Sequence, residues 1–185
     1  MDFGTLGRSI SRSGNGSNIS SDVLDKLSVV DPEKANDYQA WKAHLSGASF
    51  PEPGNKYFWK SDIMTHRGEN YYLSAKIISK RTYGTECLNT ENLLGYNLPL
   101  GATNILTHGM EYKGIYPTWD WIKVPGVTSA QDTDAAKMPD KYLIGSNDFG
   151  GGVSNGLIGV VAYEHNYKNV QAYKAYFMIG DAMVC

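Results

Sequence analysis

Three clusters hold the polar side chains best suited to chemistry. The first is Gly7-Arg8-Ser9-Ile10-Ser11-Arg12, which sets two guanidinium groups four residues apart. A guanidinium presents a planar fork of N–H donors, so the pair suits bidentate contact with carboxylate or sulfate groups. The second cluster runs from Arg81 to Asn92 and is dense in carboxylates and amides, namely Glu86, Asn89, Glu91 and Asn92. The third runs from Pro117 to Gly126 and places Trp119 and Trp121 around Asp120. Taken singly, the first two also read as loop charges and the third as core packing. The sequence has no phosphate-cradling glycine loop, zinc-ligand spacing or nucleophile elbow. His44, His66, His108 and His165 are scattered without ligand spacing, and Cys87 and Cys185 form no disulfide framework.

The elements that must position these clusters change character along the chain. Residues 1–20 are rich in Gly, Ser and Asn and read as a loop or tail. Ser20 and Ser21 can cap a short helix carrying Val23, Leu24, Leu27 and Val30 on one side. Asp31-Pro32 signals a second helix start, Tyr38, Trp41 and Leu45 recur at helical spacing, and Gly47 is a stop. Pro51-Glu52-Pro53-Gly54 breaks the chain and marks a domain boundary. Beyond it the period becomes that of strands. Tyr57 to Trp59, Tyr71 to Ser79, Thr103 to Thr107, Leu157 to Tyr163 and Val170 to Phe177 are short β-type runs. Arg67-Gly68-Glu69-Asn70 and Gly150-Gly151-Gly152 read as turns between them. With no long helical pattern intervening, the sequence predicts an antiparallel sandwich, its last run stopping at Cys185 with no turn signal.

Composition narrows the function classes. The 185 residues carry 17 Lys plus Arg against 19 Asp plus Glu, a formal charge of −2 that argues against a nucleic-acid binder working through a general basic field. A local basic site for an anionic sugar polymer remains compatible with it. Thirteen Tyr and 4 Trp against 5 Phe favour rings with a polar edge, which suit half-buried strands and sugar-stacking surfaces alike. No apolar run approaches membrane-spanning length. Met1-Asp2-Phe3-Gly4 does not begin a signal peptide.

The clusters together resemble polysaccharide lyase family 8, especially its chondroitin AC lyases. The resemblance is carried in order by Asp2-Phe3-Gly4 and the Gly-Arg-x-x-Ser-Arg stretch, then Arg81-Thr82, Glu86, Asn89 and Glu91-Asn92. It continues through Gly101 to Ile105, Glu111-Tyr112, Trp119-Asp120-Trp121 and Pro125 to Thr128. Gly145 to Phe149, Gly151 to Ser154 and Val184-Cys185 complete it. It implies a mainly β fold: an antiparallel β-sandwich opening the central lyase domain over residues 51–185. Residues 1–50 would be the C-terminal tail of an α/α toroid.

The implied reaction is β-elimination at a uronic acid of an acidic polysaccharide such as chondroitin sulfate or hyaluronan. An Asn and a His neutralise the carboxylate, and a Tyr acts as base and then acid. An Arg lowers the cost of the tyrosinate, and a Glu orients the Arg. By motif position Arg8 is similar to that Arg and Glu86 to its partner, while Arg12 and Asn89 are similar to substrate-contacting positions. The catalytic His, Tyr and Asn are expected in toroid sequence before Met1, so the isolated chain is expected to be inactive. A sugar-stacking Trp expected before Gly145 is replaced by the Lys141-Tyr142 neighbourhood, where Tyr142 can stack instead. Some members bind calcium near the Trp-acid-Trp motif. Here Ile122 stands where an acid is expected and Gln131-Asp132 is a changed pair, so no cofactor is expected. The resemblance further implies a secreted or periplasmic monomer with no nucleic-acid or membrane partner. A noncatalytic carbohydrate-binding sandwich, stacking sugars on Trp119, Trp121 and Tyr142, is the rival reading.

Overall fold

The computed structural model describes residues 19–48, 53–88, 90–108, 111–112, 114–139 and 141–185. The described residues open with a helical hairpin, α1 (Ser21–Val30) and α2 (Ala35–Leu45), joined by a 3-10 turn at Pro32–Lys34. Ser20 caps α1 in extended geometry, but through its backbone: its carbonyl accepts from Val23 and Leu24 N–H at 3.0 and 3.3 Å, and its side chain makes no cap bond. Asp25 ties the hairpin by accepting from Lys42 at 2.7 Å and Gln39 at 3.3 Å. Of the apolar residues grouped on α1 by spacing, Leu24 is buried, whereas Val30 is 81% exposed. Gly47 ends α2 at φ +102°, a left-handed conformation that favours glycine.

Ten strands follow. They are β1 (Gly54–Phe58), β2 (Ile63–Arg67), β3 (Tyr72–Lys76), β4 (Tyr83–Glu86) and β5 (Ala102–Leu106), then β6 (Tyr142–Ile144), β7 (Gly150–Ser154), β8 (Gly159–Tyr167), β9 (Val170–Ile179) and β10 (Ala182–Val184). Two four-stranded antiparallel sheets form, ordered β1-β2-β3-β5 and β10-β9-β8-β7, with β4 and β6 pairing as a separate ribbon. The mainly β, antiparallel expectation holds. β8 shows why: Val161, Tyr163, His165 and Tyr167 are buried at every second position, the period of a sheet with one face inward. They meet Met64 and Ala75 from the first sheet and Tyr176 and Met178 from β9 in one core. The buried phenols are satisfied, Tyr163 donating to the Leu100 carbonyl at 2.6 Å and Tyr176 to that of Gly126 at 2.8 Å.

Two sequence expectations need correction. Gly150-Gly151-Gly152 is not a turn but the start of β7, paired with Tyr163, Ala162 and Val161. A Cβ on Gly152 would stand 2.8 Å from the Tyr57 ring and one on Gly150 2.9 Å from the Ser79 Cβ, so these glycines permit close backbone approach. The run ending in Phe177 continues to Ile179, turns at Gly180 (φ +53°) and returns as β10. The β8–β9 hairpin closes through Lys168 and Asn169, both at positive φ, a primed two-residue turn.

Candidate functional site

The Arg81–Asn92 cluster is built outward from one buried carboxylate. Asp62 ends the turn between β1 and β2 at φ +50° and is wholly buried. Its Oδ1 accepts from the Tyr57 hydroxyl at 2.6 Å and Arg81 Nη2 at 2.5 Å, and its Oδ2 from Ser79 Oγ at 2.6 Å and Thr82 Oγ1 at 3.1 Å. A buried charge requires such saturation, because desolvation alone would cost several kcal/mol. Burial, reinforced by the bond to Asp62, pushes the Tyr57 phenol up. Burial also lowers the nearby Lys76 ammonium to about 8, although the Asp62 charge opposes that shift. The clamp therefore fixes Ser79–Thr82, the segment that delivers the chain into β4.

A second set of contacts fastens the same segment to β6. The Gly145 N–H donates to the Thr82 carbonyl at 3.3 Å, and that of Lys80 to the Asn147 carbonyl at 3.1 Å. Asn147 is buried and donates to the Ile78 and Phe149 carbonyls at 2.9 and 2.8 Å. A Cβ on Gly145 would lie 2.0 Å from the Ser79 carbonyl oxygen, so only glycine fits. The Gly145-Ser146-Asn147 motif is thus a structural splice between the ribbon and the first sheet.

On the ribbon, Glu86 pairs directly with Tyr142. Such cross-strand partners share one face. Glu86 is half-buried, Tyr142 is 46% exposed, and both border an open cleft of about 500 Å³ with Thr85. Asn92, at φ +59°, donates to Thr85 Oγ1 and to the Glu86 carbonyl, each at 2.7 Å, folding the following loop back onto β4. Cys87 extends the ribbon by donating its N–H to the Lys141 carbonyl at 2.7 Å.

The comparisons with known proteins bear on this arrangement directly. Residues 53–185 match the super-sandwich domain of polysaccharide lyase family 8. The chain belongs to polysaccharide lyase family 8. It is 36% identical over 201 residues to chondroitinase-AC of Pedobacter heparinus, a match covering 100% of this chain and 27% of that protein. It is 27% identical over 149 residues to a hyaluronate lyase of Thermasporomyces composti, covering 73% and 18%. A solved chondroitinase AC lyase superposes with a TM-score of 0.84 at 35% identity, over 99% of this chain and 28% of that one. The chain thus spans less than a third of the length of each of these relatives.

Within this lyase-family frame the structure brings together two of the five site residues read from sequence, Glu86 and Tyr142. Arg8, Arg12 and Asn89 lie outside the described residues. Sequence reasoning missed Asp62 as the anchor of the site. Its partners lie 5 to 20 residues away in sequence and converge only in the fold. The Trp119-Asp120-Trp121 motif forms a ring cluster in which Trp119 and Trp121 stack at 5.7 Å, flanked by Tyr112 and Tyr116. Both Trp are half-buried, so the core-packing reading describes much of their surface. Trp121 still lines a larger cleft of about 800 Å³ with Glu91, Leu93 and Met138. Asp120 caps its own turn, accepting from Ile122 and Lys123 N–H at 3.1 and 3.3 Å. Asp132 likewise accepts from Asp134 N–H at 2.9 Å. Ile122 supplies no side-chain oxygen, so these residues do not fit a calcium shell.

Proposed function

We propose that this chain is part of a polysaccharide lyase that cleaves uronic-acid-containing glycosaminoglycans, chondroitin sulfate or hyaluronan, by β-elimination. In that reaction a base removes the C5 proton, the freed electron pair forms the C4=C5 bond, and the C4–O bond breaks. The departing oxygen then takes up a proton. Carboxylate neutralisation makes the C5 proton removable, and fixed positive and hydrogen-bonding groups stabilise the charge that develops.

The chain's share is support and grip. Arg8 lowers the cost of a tyrosinate base, since a cation near a phenol favours its charged form. Glu86 orients Arg8, and a carboxylate-held guanidinium keeps fixed geometry. Arg12 and Asn89 contact the acidic or sulfated sugars, and Tyr142 stacks on a ring. The observation that carries this reading is the match of the whole chain to chondroitinase-AC. The placement of Glu86 opposite Tyr142 beside an open cleft supports it. The helical hairpin before residue 46 and the strands after residue 53 support a division into a toroid tail (1–50) and an opening sandwich (51–185). The reading extends to a secreted or periplasmic monomer, because its polymer substrate is extracellular.

Incubating the chain with chondroitin and hyaluronan, and following absorbance of the unsaturated product, tests the assignment. The expected result is binding without turnover, because no residue of this chain is assigned the proton transfer. Robust turnover would place the base within the chain. Failure to bind either polymer would remove the proposed substrate contacts of Arg12, Asn89 and Tyr142.

A further inference from the structure

We infer that Tyr83 is a second sugar-stacking residue of the ribbon, brought onto the substrate face by a β-bulge at Gly84. The inference rests on the reading of Tyr142 as a sugar-stacking residue, and deepens it. In a regular strand, residues an odd number apart point to opposite faces, so Tyr83 and Glu86 would be separated. The pairing shows otherwise. Glu86 opposes Tyr142 and Thr85 opposes Leu143, but Tyr83 opposes Ile144, leaving Gly84 as an extra residue. One inserted residue restores the parity, so Tyr83, Glu86, Tyr142 and Ile144 share a face.

Side-chain positions agree with the backbone. The Tyr83 and Tyr142 rings meet edge to face with centroids 5.7 Å apart. Tyr83 is 69% exposed and Ile144 55%, whereas Leu143, on the opposite face, is 6% exposed. The bulge is specified by packing: a Cβ on Gly84 would stand 2.5 Å from Ile78 Cδ1 and 2.6 Å from Pro99 Cγ. Tyr83, Gly84, Thr85, Glu86 and Tyr142 then line one open cleft.

Two rings inclined at 68° beside a carboxylate suit a pyranose. The apolar C–H face of the sugar can lie on one ring, while its hydroxyls reach the phenol edge of the other. The ligand class is therefore a sugar ring of the acidic polysaccharide adjacent to the one stacked on Tyr142. Tyr83 sets its position by contact and takes no part in proton transfer.

Calorimetric titration of the full chain with a chondroitin hexasaccharide tests the inference, with thermal melting as the folding control. Tyr83→Ala should weaken binding about tenfold, and Tyr83→Phe by no more than about twofold, because the ring is what stacks. Tyr173→Ala, which removes a Tyr that is 86% exposed on the other sheet, should leave affinity unchanged. Unaltered affinity in folded Tyr83→Ala, alongside loss in Tyr142→Ala, would overturn the role of Tyr83 and leave the reading of the ribbon intact. Equal losses in Tyr83→Ala and Tyr173→Ala would reduce the contact to nonspecific adhesion. If wild-type chain binds no hexasaccharide, or binding ignores Tyr142→Ala, the proposed role of the ribbon as a substrate contact falls and takes this inference with it.

Discussion

The β8–β9 hairpin and the β4–β6 ribbon are both antiparallel pairs, yet they are held in opposite ways. β8 and β9 pair over nine residues in unbroken register and bury Val161, Tyr163, Tyr176 and Met178. Their own apolar faces hold them. The ribbon has three paired positions, one of them displaced by a bulge, and leaves Tyr83, Tyr142 and Ile144 exposed. So short a ribbon is marginal by itself. It persists because Asp62 and Asn147 fasten its ends to segments flanking the first sheet, and Asn92 folds the following loop back onto β4. The region free to offer side chains to a ligand is the one that relies on polar anchors instead of burial.

The sharpest way to break the contrast is Asp62→Ala. It removes the shared acceptor of three hydroxyls at once, those of buried Ser79 and Thr82 among them, while Arg81, 46% exposed, can turn to water. Each buried group left unsatisfied costs about 1–3 kcal/mol. Urea unfolding should register about 4 kcal/mol from the unsatisfied hydroxyls together, with hydrogen exchange rising first in residues 79–86. A loss under about 1 kcal/mol would mean that the clamp does not anchor the ribbon. Met178→Ala attacks the other region and should cost about 3 kcal/mol. Here exchange should rise across both four-stranded sheets together, and a change confined to the ribbon would contradict the division.

A pH titration separates the regions more finely. His165 sits in the core beside Tyr163 and Tyr167, and burial, assisted by Lys174, lowers its imidazole to about 4 from 6.5. Its folded value is depressed, so its contribution is present above 6.5 and is lost as pH falls toward 4. Thermal melts should show a loss of about 2 kcal/mol between pH 6.5 and 5, which His165→Gln should flatten. The smallest effect belongs to Asn92→Ala. It removes two hydrogen bonds and should cost about 1 kcal/mol, with faster exchange in β4 and none in β8.

The two regions also differed in how far their sequences could be read. Leu157 to Tyr163 and Val170 to Phe177 announce strands because burial on one face imposes alternation, and both became the longest strands of the fold. β4 and β6, four and three residues long, are too short to show a period. β7 was hidden by glycines that serve close packing and not a turn. Among the candidate site residues, Glu86 was read from motif resemblance and Tyr142 from the neighbourhood where the family's Trp is absent, and their pairing came only from the fold. Asp62 carried no sequence signal because a lone acid in a turn looks solvated until its partners are placed around it.

The sequence alone determined the mainly β class, the two leading helices and the lyase family, and it nominated Glu86 as a candidate. These rest on local periodicity and on ordered residue types, which survive without coordinates. Tertiary structure alone decided that Asp62 is the anchor and that Gly84 is a bulge. It also decided that Tyr83 shares a face with Glu86. Each of these depends on contacts between segments far apart in the chain, or on strand register, and neither is written in any local run of residues.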